Sequence, residues 1–216
     1  MEAQQELTDK RGTMYFLLKR TLDISVSFIL LVLLAPLFLI ICLVLYIKDG
    51  KPVFFKQTRI GKHNDPFIIV KFRTMTASAN DVSSGTFSAG WVRGVPNHFI
   101  FKSNMSTSVT RIGRHLRKYS LDELPQLINV LKGEMSLVGP RPEIPAITQY
   151  YNENQEKRLL MKPGITGYAQ INGRANMNHG RKIAYDLYYI ENCSFFLDLK
   201  IIARTIIQVI KANGAV

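Results

Sequence analysis

The chain has 216 residues, of which 47% are hydrophobic and 20% are charged. This length and balance suit one folded catalytic domain with its own core, and they exclude a disordered or low-complexity protein. The formal net charge of +12 fits an anionic partner such as nucleic acid, a membrane surface or a phosphorylated substrate, without choosing among them. Cys42 and Cys193 lack metal-ligand spacing, so we expect neither a structural disulfide nor a zinc site.

The first feature along the chain is an apolar run from residue 22 to residue 47, interrupted by Asp23 and, near its middle, by Pro36. As a helix this run would measure about 39 Å, which exceeds the ~30 Å hydrocarbon core of a bilayer. The run therefore predicts a membrane segment. A cleaved signal peptide is disfavoured, because its apolar region would be shorter and no small-residue cleavage site follows Ile47.

Basic residues flank the run on both sides, from Lys10 to Arg20 before it and from Lys48 to Lys62 after it. The positive-inside rule would place both ends in the cytoplasm, which a single crossing cannot achieve. Pro36 interrupts helical hydrogen bonding, and the two arms, about 21 and 17 Å long, are each too short to cross alone. We predict a re-entrant helix broken near Pro36. The alternative is one kinked span with the N-terminus outside.

Two short β-rich runs, 52–55 and 67–72, are joined by the turn-like segment 61–66 and predict a hairpin beside the membrane. Helical patterns return from Leu124, at 144–161, at 180–192 and at 195–211. The last pattern mixes apolar and basic residues, so this amphipathic C-terminal helix either lies in the membrane interface or packs against the core. The sequence predicts a mainly helical α+β fold, with a membrane segment at 1–50 and a cytoplasmic catalytic domain at 51–216.

The connection from residue 76 to residue 108 is rich in Ser, Gly, Thr and Asn, which is typical of a long irregular segment. Its aromatic residues Trp91, Phe99 and Phe101 have two interpretations. They contact lipid or substrate, or they pack locally within the protein.

Two adjacent carboxylates, Asp122 and Glu123, precede Pro125, after which apolar residues recur at helical spacing. Because proline fits only the first turn, the acids are predicted at a helix N-terminus, where free amides and the macrodipole favour negative charge. That environment lowers a carboxylate pKa and attracts phosphate, so one interpretation is an ionised nucleophile beside a bound diphosphate. Ordinary capping of the helix is the other.

Basic and glycine-rich segments surround the two acids. Arg111, Arg114, Arg117 and Lys118 lie upstream. Downstream, a glycine and two prolines place Arg141 on a stiff backbone, which suits a bidentate contact to phosphate. Residues 162–174, KPGITGYAQINGR, have glycines that allow backbone amides to approach a ligand, and Tyr168 is available to stack on a base. A solvated salt-bridge surface would explain the charges but does not need the Gly-Pro-Arg-Pro frame.

The segments RIGRHLRKYSLDELPQLINVLKGEMSLVGPRPE, KPGITGYAQINGR and FFLDLKI, in this order, resemble the bacterial sugar transferase family, the monotopic phosphoglycosyltransferases. The resemblance covers roughly Lys19 to Lys211. It implies a re-entrant N-terminal helix and a Mg²⁺-dependent catalytic domain at the cytoplasmic face of the inner membrane. The implied reaction moves a sugar 1-phosphate from a UDP-sugar to polyprenyl (undecaprenyl) phosphate and releases UMP, as the first membrane step of exopolysaccharide, O-antigen or glycoprotein glycan synthesis.

The resemblance also implies roles for individual residues. Asp122 is the nucleophile that forms a phospho-aspartate intermediate, and Glu123 helps to hold the metal. Predicted phosphate contacts come from Lys71, Arg73, Arg117 and Arg141. Further predicted substrate contacts are Gly164, Gly167, Tyr168, Gln170 and Arg174. Because a carboxylate attacking a diphosphate meets like-charge repulsion, the cations must neutralise it, and a two-step ping-pong reaction lets UMP leave before the second anion attacks.

A membrane-anchored basic adaptor that gathers anionic lipids or a partner protein would also explain the charge of +12. It leaves the paired acids, Arg141 and the glycine-rich segment unexplained. A nucleic-acid binder is disfavoured, because the sequence has no helix-turn-helix, zinc or RNA-binding signature. The predicted partners are therefore a UDP-sugar donor, polyprenyl phosphate and membrane lipids. A homo-oligomer stays open, and the sequence does not identify the sugar.

Overall fold

The computed structural model describes residues 12–76, 91, 94–100, 109–173 and 177–211. Its first two helices, α1 (Thr13–Leu33) and α2 (Ala35–Asp49), meet at Leu34 with a bend of 62°. Pro36 lies in the first turn of α2, where its missing N–H costs no helical bond. The predicted break near Pro36 is thus confirmed. Within the described residues neither helix alone has the length and apolar content to cross a membrane, whereas the bent pair together does; re-entry stays a prediction.

One face of α1 is polar and buried. Tyr15, Lys19, Asp23 and Ser27 recur at every fourth residue and all point into the protein. Exposed large apolar side chains on α1 and α2 include Leu17, Phe28, Val32, Leu39, Leu43 and Ile47. α1 therefore buries polar groups, α2 buries Ile41 and Leu45, and both helices expose large apolar side chains, which is unlike a water-facing surface.

Hydrogen bonds join this polar face of α1 to the rest of the chain. Lys19 Nζ lies 2.9 Å from Asp198 Oδ2, and Asp23 Oδ1 accepts from the Leu137 N–H at 2.8 Å. Arg20 donates to the carbonyls of Val130 and Leu131 at 2.7 and 2.9 Å. The first helix is therefore attached to three separate later segments of the chain.

The hairpin predicted after the membrane segment is confirmed. Strands β1 (Phe54–Ile60) and β2 (Pro66–Phe72) pair antiparallel, with Phe54 opposite Phe72 and Ile60 opposite Pro66. β1 extends through polar residues beyond the predicted run, because the ladder with β2 satisfies its backbone groups. Phe72, fully buried, packs with Leu45 of α2 and anchors the hairpin beneath that helix.

Short helices and two more strands complete the described part. They are α3 (Arg111–Lys118), a 3₁₀ turn (Leu121–Glu123), α4 (Gln126–Lys132), β3 (Ser136–Val138), α5 (Pro145–Thr148), α6 (Glu153–Glu156), a 3₁₀ turn (Lys157–Leu160), β4 (Gly164–Thr166), α7 (Tyr168–Asn172), α8 (His179–Asn192) and α9 (Phe195–Ile210). β3 pairs parallel with β4, with Ser136 opposite Gly164. This pairing was not predicted, since strands of three residues carry no measurable periodicity.

The main core lies where α1, α4, β3, α8 and α9 meet, around Val138, Tyr189 and Ile201. α9 packs on this core through Ile201, so packing, one of the two interpretations of this helix, is confirmed. Its other side exposes large apolar residues, namely Phe196, Ile206, Ile207 and Ile210. Location of that side in the membrane interface stays a prediction, as does the division of the chain at residue 50.

A second cluster involves the aromatic residues of the long connection. The rings of Trp91 and Phe99 lie 4.7 Å apart, and Trp91 lies 5.5 Å from Tyr150. Both belong to a core cluster with Ile144 and its neighbours, so local packing is confirmed for them. Phe101, like most of residues 76–108, lies outside the described residues.

Candidate active site

Asp122 and Glu123 lie in the 3₁₀ turn between α3 and α4. The chain enters this turn through Ser120, whose backbone is left-handed at φ 53° and ψ 21°, and leaves it through Pro125, which caps α4. The acids therefore precede the helix as predicted, but in a turn of their own. Within that turn the amides of Glu123 and Leu124 already donate to backbone carbonyls at 3.2 Å.

Glu123 is the centre of a charged cluster. Its Oε1 accepts from Lys71 Nζ at 2.6 Å and from Arg141 Nη2 at 3.1 Å. Burial alone would raise the pKa of Glu123, but Lys71 and Arg141 outweigh it and lower the pKa to about 2. Lys71 from β2, Glu123 from the 3₁₀ turn and Arg141 from the segment after β3 thus form one cluster of charged side chains.

Asp122, which is 9% exposed, has the opposite shift. Burial raises its pKa, and the neighbouring charge of Glu123 raises it further, while Lys71, Arg117 and Arg141 lower it. The expectation that a helix N-terminus would lower this pKa is wrong. Desolvation dominates here, and the nearest amides are engaged inside the turn.

Lys71 reaches Glu123 because a buried asparagine fixes β2 against α4. Asn129, which is 1% exposed, donates to the Ile68 carbonyl at 2.8 Å and accepts from the Val70 N–H at 3.3 Å. The side-chain amide thereby satisfies backbone groups on the open edge of β2, where no neighbouring strand pairs with them. Sequence analysis did not identify Asn129, although two amides at helical spacing, Gln126 and Asn129, in a largely apolar helix were a visible signal.

Arg117 and Arg73 have different positions. Arg117 lies in the last turn of α3, close enough for its charge to act on Asp122. Arg73 donates instead to backbone carbonyls at the end of α2, including Gly50 at 2.8 Å and Lys51 at 3.1 Å. The structure therefore groups Asp122 and Glu123 with Lys71, Arg117 and Arg141, and Arg73 caps the end of α2. A phosphate contact from Arg73 stays a prediction.

The predicted glycine-rich segment packs against the segment that carries Arg141. A Cβ at Gly164 or Gly167 would collide with the backbone of Gly139, so both glycines are required for β4 and its extension to approach the segment that carries Arg141. Their contact with a ligand stays a prediction.

The other predicted residues of this segment lie around α7. The ring of Tyr168 lies 4.8 Å from that of Tyr188. Neither polar atom of the Gln170 amide has a hydrogen-bond partner among the described residues. Arg174 lies outside the described residues. Substrate contacts from these three side chains stay predictions.

The carboxylates can be compared with the needs of Mg²⁺. The described residues include no group of three or more His, Cys, Asp or Glu side chains able to hold a metal ion. Mg²⁺, however, often binds through one or two carboxylates together with substrate phosphate and water. Glu123 Oε1 accepts from both cations, and no described residue bonds its Oε2. Glu123 therefore fits a Mg²⁺ ion that would arrive with a phosphorylated substrate.

Several known proteins are similar to this chain in sequence. The chain is 43% identical over 198 residues to the uncharacterized sugar transferase EpsL of Bacillus subtilis (strain 168), covering 92% of this chain and 90% of EpsL. It is 37% identical to the exopolysaccharide production protein ExoY of Rhizobium meliloti (strain 1021), covering 91% and 87% of the two chains. It is 35% identical to the undecaprenyl-phosphate galactose phosphotransferase of Salmonella typhimurium, covering 92% of this chain but only 41% of that longer protein. The family model described as bacterial sugar transferase matches residues 14–212, and the chain, with its charged cluster around Asp122 and Glu123, belongs to that family.

Proposed function

We propose that this protein transfers a sugar 1-phosphate from a UDP-sugar to undecaprenyl phosphate, with Asp122 as the nucleophile. The observation that carries the proposal is the group of cations that surrounds the two carboxylates. Lys71 and Arg141 bind Glu123, and together with Arg117 they partly offset the burial and the charge of Glu123 that raise the pKa of the adjacent Asp122. The name of the related galactose phosphotransferase supports the same acceptor lipid.

The first step forms a covalent intermediate. An oxygen of the Asp122 carboxylate attacks the phosphorus that bears the sugar, a new O–P bond forms, and the bond to the bridging oxygen breaks. UMP leaves with that electron pair. In the second step a phosphate oxygen of undecaprenyl phosphate attacks the same phosphorus, which releases Asp122 and yields the sugar-diphosphate lipid. Both steps proceed without a net change in protons.

Charge neutralisation is the main task of the protein in both steps. A carboxylate approaching a diphosphate is repelled, and positioned cations in a partly dry site reduce that barrier far more than they would in water. Arg141 is 53% exposed while its Nη2 contacts Glu123, so the guanidinium also has free edges for phosphate oxygens. Mg²⁺, when held by Glu123 and the substrate, would supply further neutralisation of the diphosphate.

The acceptor lipid requires the site to lie at a membrane. The apolar outer faces of α1 and α2 and the exposed residues Phe196 and Ile210 of α9 support placement in one leaflet at the cytoplasmic side of the inner membrane. In this arrangement α1 and α2 form a re-entrant hairpin, and α9 lies in the interface.

The test uses the purified 216-residue chain in lipid nanodiscs. Incubation with a panel of UDP-sugars, Mg²⁺ and undecaprenyl phosphate should release UMP, and donor labelled in the sugar phosphate should label the protein when acceptor is omitted. Asp122→Asn should abolish both signals, whereas Asp65→Asn, on the exposed hairpin turn, should retain them. Substantial turnover by Asp122→Asn would refute the nucleophile. Binding to anionic vesicles without UMP release from any donor would favour the adaptor.

A further inference from the structure

The segment that carries Arg141 is fixed at every backbone carbonyl. Each of the four consecutive carbonyls of residues 140–143 accepts a hydrogen bond. The Pro140 carbonyl accepts from the Gly164 N–H at 2.9 Å, and the Arg141 carbonyl accepts from Arg158 Nη2 at 2.9 Å. The Pro142 carbonyl accepts from Arg59 Nη1 at 3.2 Å, and the Glu143 carbonyl accepts from the Ile60 N–H at 2.9 Å. Backbone groups thus hold the two ends, and two arginine side chains hold the middle.

Arg158 is the donor to Arg141 itself, and its own orientation is tightly determined. Its side chain is 3% exposed. Nη2 donates to Asp186 Oδ2 at 2.6 Å as well as to the Arg141 carbonyl, so both hydrogens of that nitrogen are used. Nη1 donates to the Tyr151 hydroxyl at 2.6 Å. Because a guanidinium is planar and rigid, Asp186 sets the direction in which Nη2 meets the Arg141 carbonyl.

We propose that Arg158, oriented by Asp186, is a positioning residue that holds Arg141 in reach of Glu123 and of the substrate phosphates. This inference rests on the proposed function for the role of Arg141. Replacement of a buried ion pair by apolar residues of similar volume is often neutral for stability, so the presence of this pair is weak evidence for a stabilising role. What an apolar replacement cannot supply is the hydrogen bond to the Arg141 carbonyl.

The primary variant is Arg158→Lys, which keeps the charge but cannot bond Asp186 and the Arg141 carbonyl with one planar group. Because displacement of a reacting group by about 1 Å costs roughly 100-fold, we expect kcat for UMP release to fall by about 10- to 100-fold. Tyr151→Phe is the matched control, because it removes an equally short bond from Nη1 and leaves Nη2 in place. It should retain kcat within about 3-fold.

Two further readouts separate positioning from a general structural role. In an Arg141→Ala background, Arg158→Lys should cause no additional loss of kcat. Hydrogen exchange measured by mass spectrometry should accelerate across residues 137–145 in Arg158→Lys and stay unchanged there in Tyr151→Phe. Additive losses of kcat, or unchanged exchange in Arg158→Lys, would overturn the inference. If the wild-type protein releases no UMP, the proposed function fails, and the exchange measurement still decides whether Arg158 fixes this segment.

Should Arg158→Lys fail to fold, the double variant Arg158→Met/Asp186→Leu replaces both charges by apolar side chains. We expect it to melt near the wild-type temperature, to lose kcat and to show faster exchange across residues 137–145. A folded double variant with wild-type kcat and exchange would refute the role of Arg158.

Discussion

Replacement of Lys71 by methionine tests the electrostatic account of the site. The pKa of Glu123 falls from an ordinary 4.5 to about 2. At 1.36 kcal/mol for each pKa unit, the environment of Glu123, in which the two cations outweigh burial, therefore favours the ionised carboxylate by about 3 kcal/mol. Lys71 makes the shorter bond, 2.6 Å, but its removal also relieves the cost of burying an ammonium group. We expect Lys71→Met to lower the free energy of unfolding by about 2 kcal/mol at pH 7.

The loss should depend on pH in a defined direction. Because the pKa of Glu123 is depressed in the folded protein, its contribution is complete above 4.5 and disappears as the pH falls toward about 2. For a chain of this size about 2 kcal/mol corresponds to roughly 4–8 °C in melting temperature. Melting curves of both proteins in the same nanodiscs, at pH 7 and near pH 3, should therefore show a difference that shrinks in acid.

The matched control is Lys56→Met, which makes the same change at an exposed position on the neighbouring strand β1. It should leave the melting temperature within about 1 °C at either pH. If Lys71→Met melted at the wild-type temperature at pH 7, or if its melting temperature were lowered equally at both values of pH, the electrostatic account of Glu123 would be refuted.

Two further predictions concern the pKa of Asp122 and the packing of Gly164 against Gly139. Burial and the charge of Glu123 raise the pKa of Asp122 above its ordinary 3.8, and the nucleophile that we propose is its ionised form. Single-turnover UMP release without acceptor should therefore increase with pH through an acid limb above 3.8. Arg117→Gln removes a charge that lowers this pKa, so it should move the limb upward; an unmoved limb contradicts the assignment. Gly164→Ala should destabilise the protein by about 1–3 kcal/mol, because its Cβ overlaps the Gly139 backbone, and an unchanged melting temperature would contradict that packing.

Features that depend on local chemistry could be predicted from the sequence. The helix break follows from the geometry of Pro36, and the hairpin follows from two β-rich runs around a turn. The order of acids, proline and apolar spacing placed Asp122 and Glu123 ahead of α4. Each of these signals lies within a few residues of the structure that it determines.

Features that depend on distant contacts could not be predicted. Arg158 and Asp186 are 28 residues apart in sequence, and an isolated charged residue on a helix is typical of a solvated surface. The pKa of Asp122 was mispredicted for the same reason, since the helix terminus is local but the burial that dominates comes from the whole fold. The parallel pairing of β3 with β4 likewise joins segments too short to be recognised separately.

The polar inner face of α1 has a practical consequence for anyone who wants a water-soluble version of this enzyme. Removal of the first helix would leave Asp198 buried without its cation and the Leu137 amide without its acceptor. Because an unpaired polar group in a low-dielectric interior is not compensated for its lost hydration, each loss would destabilise the fold. The first helix thus forms an interior wall of the fold. Its removal should yield a misfolded fragment, so biochemical work should solubilise the intact chain in lipid.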